Sequence, residues 1–210
     1  MSFQPTGKER EVKLLGRATI DGAPIAYIIM LAGVVTGLAF VPLSVVLGSG
    51  KSFPMSQGIY PLVGWILGPI AGAIASAIGA SLGIFIAPYT TTVPIATVLG
   101  ALMGSFAAGV MVQVGRRKNW WIPLSLLLCL IYGCYGARAI FYNGVRVHAV
   151  ILGSFINGSA LLLFIFPTRR LAARWIGDQN LRRVAGGLFL GTWIAAGLSH
   201  LTASTIVYFV

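Results

Sequence analysis

The sequence predicts an all-α integral membrane protein, a compact bundle of six to seven helices whose second helix is short and broken. Composition is the first observation behind this. Hydrophobic residues make up 57% of the 210 residues, charged ones only 9%, and mean hydropathy is +0.89, which leaves too little polar surface for a soluble domain. The second is a series of apolar stretches: Pro24 to Leu47, Ile59 to Leu67, Ile70 to Ala87, Val93 to Val114, Trp120 to Phe141, Val147 to Phe166 and Val184 to Val210. Most reach the roughly 20 residues that a ~30 Å hydrocarbon core requires. The third is the placing of the basic residues at the ends of those stretches.

Residues 1–21 read as a basic cytoplasmic segment and residues 22–210 as one transmembrane helical domain. The first stretch is too long for the apolar region of a signal peptide, and no small-residue cleavage site closes it, so it is expected to stay in the mature protein. The second, Ile59 to Leu67, spans only about 14 Å as a helix and is broken by Gly68-Pro69. A bilayer tolerates such a break only where neighbouring protein or a cavity satisfies the freed backbone groups.

The charges select the path at this break. If Ile59 to Ala87 crossed once, the Lys and Arg residues would divide almost evenly between the two sides. If the chain turns back at Gly68-Pro69, the N-terminus, Arg116 to Lys118 and Arg169 to Arg183 share one side. Only Lys51, Arg138 and Arg146 of the 15 Lys and Arg then face the other. The positive-inside rule favours the second path and a multi-pass cell-membrane protein with a cytoplasmic N-terminus. A net charge of +11 in this setting points to anionic lipid headgroups as partners, not to nucleic acid.

Small residues recur at helical spacing. The third stretch carries Ala71, Ala75 and Gly79 beside Gly72, Ser76 and Ala80. The fourth carries Gly100, Gly104 and Ala108 beside Ala101, Ser105 and Gly109. The last carries Gly187, Gly191, Ala195 and Ser199, and the first carries Gly33 and Gly37. Such stripes let helix backbones approach closely. They serve either internal packing or docking of another membrane protein, for which Gly33, Gly37, Ala75, Gly79, Gly100 and Gly104 are the candidates.

Catalytic chemistry is sparse, and no enzyme, cofactor or metal site is expected. The four acidic residues, Glu9, Glu11, Asp21 and Asp178, lie outside or at the edge of the apolar stretches, so no carboxylate is available inside the membrane to couple an ion. There is no Walker motif. Cys129 and Cys134 are five apart and read as small buried hydrophobes, and His148 and His200 stand on different stretches without a Cys or acidic neighbour.

Polar residues gather instead toward the outer side. The loop Gly48 to Gly58 offers Lys51, Ser56 and Gln57; the fifth-to-sixth turn offers Arg138, Tyr142, Asn143, Arg146 and His148. Arg138 either snorkels to the headgroups or joins Lys51 and Arg146 in a cationic mouth for a carboxylate or phosphate. Asn157, in the middle of its stretch, is either a ligand contact or an interhelical hydrogen bond. Trp65 and Tyr60 serve as an aromatic wall or as interfacial anchors. The solute-site candidates are therefore Lys51, Gln57, Trp65, Arg138, Asn143, Arg146 and Asn157.

The run PLVGWILGPIAGAIASAIGASLGIFI, followed by TVLGALMGSFAAGVMVQVGRRK, resembles the second to fourth helices of the S components of energy-coupling factor (ECF) transporters. The resemblance implies a membrane subunit that binds a vitamin or metal near the outer side, beneath the loop between its first two helices. It also implies a separate membrane coupling protein and ATPase subunits as partners. Members of that family carry an Ala-x-x-x-Ala stripe on the first helix, for which the nearest equivalents here are Gly22 with Ala26 and Gly33 with Gly37. They have six helices, so Val184 to Val210 would be an addition. Outside that family, the stripes suit an accessory subunit of a larger membrane complex.

Overall fold

A computed structural model describes residues 18–45, 52–91, 93–113 and 119–210. Lys8, Glu9, Arg10, Glu11, Lys13, Arg17, Lys51 and the Arg116 to Lys118 cluster lie outside the described residues. The protein is an all-α integral membrane protein. Four of its described helices are long and apolar enough to cross a membrane, five if one bent pair counts as a single span. The exposed apolar side chains, Phe85 at 85% and Phe141 at 87% among them, suit a lipid environment, where exposure of an apolar group carries no hydration cost.

Before the first helix, strands β1 (Thr19–Ile20) and β2 (Ala23–Pro24) form a hairpin. Its turn uses Asp21 (φ 54°) and Gly22 (φ 86°), the left-handed pair that a two-residue hairpin demands. Gly22 therefore shares no helical stripe with Ala26. Helix α1 (Ile25–Leu38) is shorter than the predicted Pro24 to Leu47. Pro42 lacks the N–H that a continuing helix needs and pushes Val41 toward extended backbone; the chain becomes strand β3 (Pro42–Val45), paired with β4 (Ser52–Pro54). The predicted outer loop is thus partly a hairpin, held to the end of α1 by the Met55 N–H bonding the Val41 carbonyl at 2.8 Å.

Helix α2 (Ser56–Leu67) starts three residues earlier than predicted and ends at Gly68, whose φ of 83° only glycine adopts cheaply. Pro69 then opens α3 (Pro69–Ile86) at the position where a missing N–H costs nothing. The two helices fold back on each other: a Cβ built on Gly72 would lie 2.8 Å from Gly64 Cα. Helix α4 (Pro94–Val112) packs against both, close enough for a Cβ on Gly109 to meet Pro69 N at 2.4 Å. Buried Ser76 and Ser105 hydrogen-bond across α3 and α4, and Ser105 Oγ also donates to the Tyr60 carbonyl at 2.7 Å. Each such bond inside a membrane bundle contributes only about 0.6 kcal/mol on average, so close backbone packing dominates here.

Helix α5 (Trp121–Ala137) ends in a π-helical turn, Arg138–Tyr142. Cys129 and Cys134 are both exposed on it, which corrects their reading as buried hydrophobes. An apolar helix in lipid turns apolar residues outward too, so hydrophobicity does not predict burial. The predicted single helix over Val147 to Phe166 is two, α6 (Val147–Gly153) and α7 (Phe155–Ile165), bent by 71° at Ser154. Ser154 Oγ returns a hydrogen bond to the Val150 carbonyl at 2.6 Å and meets Tyr132 Oη at 2.8 Å, a side-chain competition with the helix ladder that bends helices.

Amphipathic helix α8 (Thr168–Ile176) follows, with Arg169 and Ala172 buried, then α9 (Leu181–Phe209). In the turn between them the Asp178 carboxyl is held below the usual carboxylate range, first by the Asn180 N–H and then by Arg183. The final helix is no appendage: Ile194, Ala195, Leu198 and Leu201 are fully buried, and α9 touches α2, α4, α5, α7 and α8.

Helix directions follow from paired contacts. Gly79 and Gly83 of α3 meet Val35 and Ala39 of α1, so α1 and α3 run parallel and α2 returns between them. Gly100 meets Ala203, and Gly104 meets Ala195, so α4 and α9 are antiparallel. One end of the bundle therefore holds the start of α1, the Gly68-Pro69 turn, the end of α4, α8 and the start of α9. The other holds the β3–β4 hairpin, the π-turn and the end of α9.

Candidate functional site

The polar residues that the structure brings together lie along one stripe of α9: His200, Ser204 and Tyr208, at i, i+4 and i+8. Facing helices complete the column. Asn157 on α7 is 3% exposed; its Nδ2 donates to Ser204 Oγ at 3.3 Å, and its Oδ1 lies 2.8 Å from His200 Nδ1. Ser204 spends its own proton on the His200 carbonyl at 2.6 Å. Asn157 thus presents its amide to Ser204 and its oxygen to the imidazole, so His200 Nδ1–H donates the bond to Oδ1.

Toward the α5 end, Tyr208 stacks edge-on against Tyr135 with centroids 5.0 Å apart, and its hydroxyl accepts from Asn143 Nδ2 at 2.5 Å. Arg138 opens the π-turn with its guanidinium 4.6 Å from the centroid of Phe209 and 5.4 Å from that of Tyr142. Its Nε is buried without a hydrogen-bond partner. The π-turn itself is closed by the Asn143 N–H bonding the Arg138 carbonyl at 3.1 Å, one of the rare helical irregularities that recur at functional sites. The faces of Phe209 and Tyr142 thus hold the Arg138 guanidinium by cation–π contact, while its Nε stays unpaired.

The seven predicted solute-site residues separate. Arg138, Asn143 and Asn157 gather along α9, and exposed Arg146 lies at the start of α6 nearby in sequence. Gln57 is half-buried in the first turn of α2, and Lys51 lies outside the described residues. Trp65 is toward the opposite end, where a Cβ on Gly191 would meet its Cζ2 at 2.7 Å and Ile176 packs beside it. Buried Tyr60 faces Ser56 Oγ at 3.5 Å. Asn157 makes the interhelical hydrogen bonds weighed as its alternative. The sequence reading missed His200, Ser204 and Tyr208. Their four-residue spacing in the last helix was the available signal.

The six docking candidates divide as well. Ala75 is fully buried; Gly79 packs on Val35 and the Ala32 carbonyl, and Gly100 and Gly104 pack on Ser199. Gly33 and Gly37 are exposed on α1, with open space where a side chain would stand.

No family model matches the chain, and no solved structure matches it. It is similar to the autoinducer 2 import system permease protein LsrD of Enterobacter sp. (strain 638), 39% identical over 69 residues, which cover 31% of this chain and 21% of that protein. The similarity thus spans about a fifth of the length of the curated relative.

Proposed function

We propose that this chain is the membrane-embedded binding subunit of a solute importer, holding a small anionic solute at the outer end of the α5–α7–α9 column. The observation that carries this reading is Arg138, a cation set between aromatic rings with a buried, unpartnered Nε. Partial similarity to an import-system permease supports a transport role. The ECF-like short helix folded back at Gly68-Pro69 supports the sharper form: an S component that takes a vitamin-like solute and is energised by separate coupling and ATPase subunits. In that form the open Gly33–Gly37 face of α1 meets the membrane coupling protein.

Replacing Arg138 with Ala should weaken solute binding about tenfold to a hundredfold, because a charge-assisted hydrogen bond to a desolvated ligand is worth about 1.5 to 3 kcal/mol. Calorimetry with the small molecule that co-purifies in mild detergent measures this; wild-type affinity in the variant would mean that Arg138 only snorkels. The open Gly33–Gly37 face also suits an accessory subunit of a larger membrane assembly. Co-purification of membrane subunits without ATPases, and of no small molecule, would favour that reading.

The orientation proposed with this function puts the α8 end in the cytoplasm. In a background lacking Cys129 and Cys134, an impermeant maleimide applied to intact cells should label Arg146→Cys and spare Gln179→Cys, both exposed positions. The opposite pattern would invert the topology and remove the outer site.

A further inference from the structure

We propose that α6 is a hinged gate on the outer site, latched by the hydroxyl of Tyr132. Its seven residues touch the π-turn and α7, and none of them is buried. The 71° bend toward α7 rests on one residue, Ser154, at φ −104° and ψ 19°. Beside it Gly153 has nothing within 4 Å of a built Cβ, and in the linker before α6 Gly144 has a φ of 66°. Hinges are commonly a few such element-terminal positions that absorb a change in φ and ψ.

Two states are in balance at this hinge. As one straight helix, Val147 to Ile165 would span about 28 Å, close to the ~30 Å of a hydrocarbon core, and the pair together is apolar enough for one span. Straightening would also give the first N–H groups of α7 the carbonyls of α6, acceptors that a helix start otherwise lacks. The bent state is held by side chains. Ser154 Oγ gives its proton to the Val150 carbonyl, so at 2.8 Å the Tyr132 hydroxyl is the donor to Ser154. Ser154 is 1% exposed, and Gly158 makes room for the phenol, since a Cβ there would stand 3.0 Å from Tyr132 Oη.

Movement at Ser154 reaches the site through a short linker. Swinging α6, about 10 Å long, through 71° would carry its start about 12 Å, nearly the whole reach of the linker from Asn143 to Arg146. The π-turn bearing Arg138 must therefore give way. In the bent state Arg138 Nε and Ala139 are buried and Asn143 is bound to Tyr208, which makes it the closed one; straightening draws these groups apart and opens the outer site. The gating role rests on the outer-site reading proposed above, whereas the hinge does not.

Double electron–electron resonance on the full chain in nanodiscs tests both parts. Cys129 and Cys134 are replaced by Ser, and spin labels are placed at Phe189→Cys, exposed on α9, and Ala149→Cys, exposed on α6. Tyr132→Phe should raise the population of a second distance about twofold to tenfold, the worth of one hydrogen bond. Ser154→Ala should raise it at least as much and serves if the tyrosine variant fails to fold. Trp193→Phe, which loses a hydrogen bond to Ser159 between α7 and α9, should leave the distances unchanged. Moving the α6 label to Phe141→Cys on the π-turn should show the same two populations. Unchanged distances in both latch variants, or an equal response to Trp193→Phe, would overturn the hinge, and a fixed Phe141 distance would overturn the gating role. The distances are read without solute, so they stand or fall apart from the Arg138→Ala affinity.

Discussion

Replacing Arg169 with Ala should unlock the α7–α8 end of the bundle, with a loss of at least about 1 to 3 kcal/mol, the cost of leaving a buried acceptor unpaired. Arg169 is 5% exposed. Its Nη1 donates to the carbonyls of Phe164, Ile165 and Phe166 at 3.1, 2.6 and 2.9 Å, the last acceptors of α7 that no helical N–H reaches. Its guanidinium lies 3.6 Å from the centroid of Trp121, which ties the start of α5 to the end of α7. Alanine leaves the carbonyls unpaired and the indole uncovered. Arg170→Ala, exposed one residue on, should stay within about 0.5 kcal/mol of wild type. Thermal denaturation in detergent, read by gel filtration, measures both; similar curves for the two variants would refute the capping role.

Any side chain at Gly64 or Gly109 should prevent folding. A Cβ on Gly64 would stand 2.0 Å from the Ser105 carbonyl oxygen, and one on Gly109 would stand 2.4 Å from Pro69 N. Both obstacles are backbone and cannot swing aside, so the cost exceeds the roughly 1 to 3 kcal/mol typical of overpacking. Gly104→Leu should also misfold the isolated protein, since Ser199 already fills the space before it, and buried Ala75 leaves leucine no more room. Neither position can report on partner docking. Gly33→Leu and Gly37→Leu should fold normally, because nothing lies within 4 Å of a Cβ there. If α1 docks a coupling protein, these two variants should lose it during purification; folded variants that retain the partner would remove that face from the interface. Expression of folded Gly109→Ala at wild-type yield would sink the packing argument.

What could be read in the sequence depended on how local its cause is. Gly68-Pro69 was legible because a left-handed glycine followed by a proline determines backbone geometry without help from neighbours. The Ser154 bend was not, because Gly153-Ser154 is tolerated inside many helices; here Tyr132, 22 residues earlier, supplies the hydroxyl that engages Ser154. Helix α8 was hidden as a run of arginines, since a basic nine-residue segment becomes a helix when Arg169 finds carbonyls and an indole to bind. Grouping Trp65 with Arg138 failed for a related reason: position along α2 was read without its end, and Gly191 and Ile176 fasten the indole to the far half of the bundle.

By itself the sequence determined the membrane class and the return of the chain at Gly68-Pro69, because composition and Gly/Pro stereochemistry act within a few residues. Tertiary structure alone decided that α9 is central, that four of the six small docking candidates are spent on internal packing, and that His200, Ser204 and Tyr208 form one column with Asn157, Asn143 and Arg138. In lipid every face of a helix is apolar, so hydrophobic periodicity does not say which face turns inward. Only the fit of small residues against neighbouring backbones, together with hydrogen bonds made far apart in the chain, makes that choice.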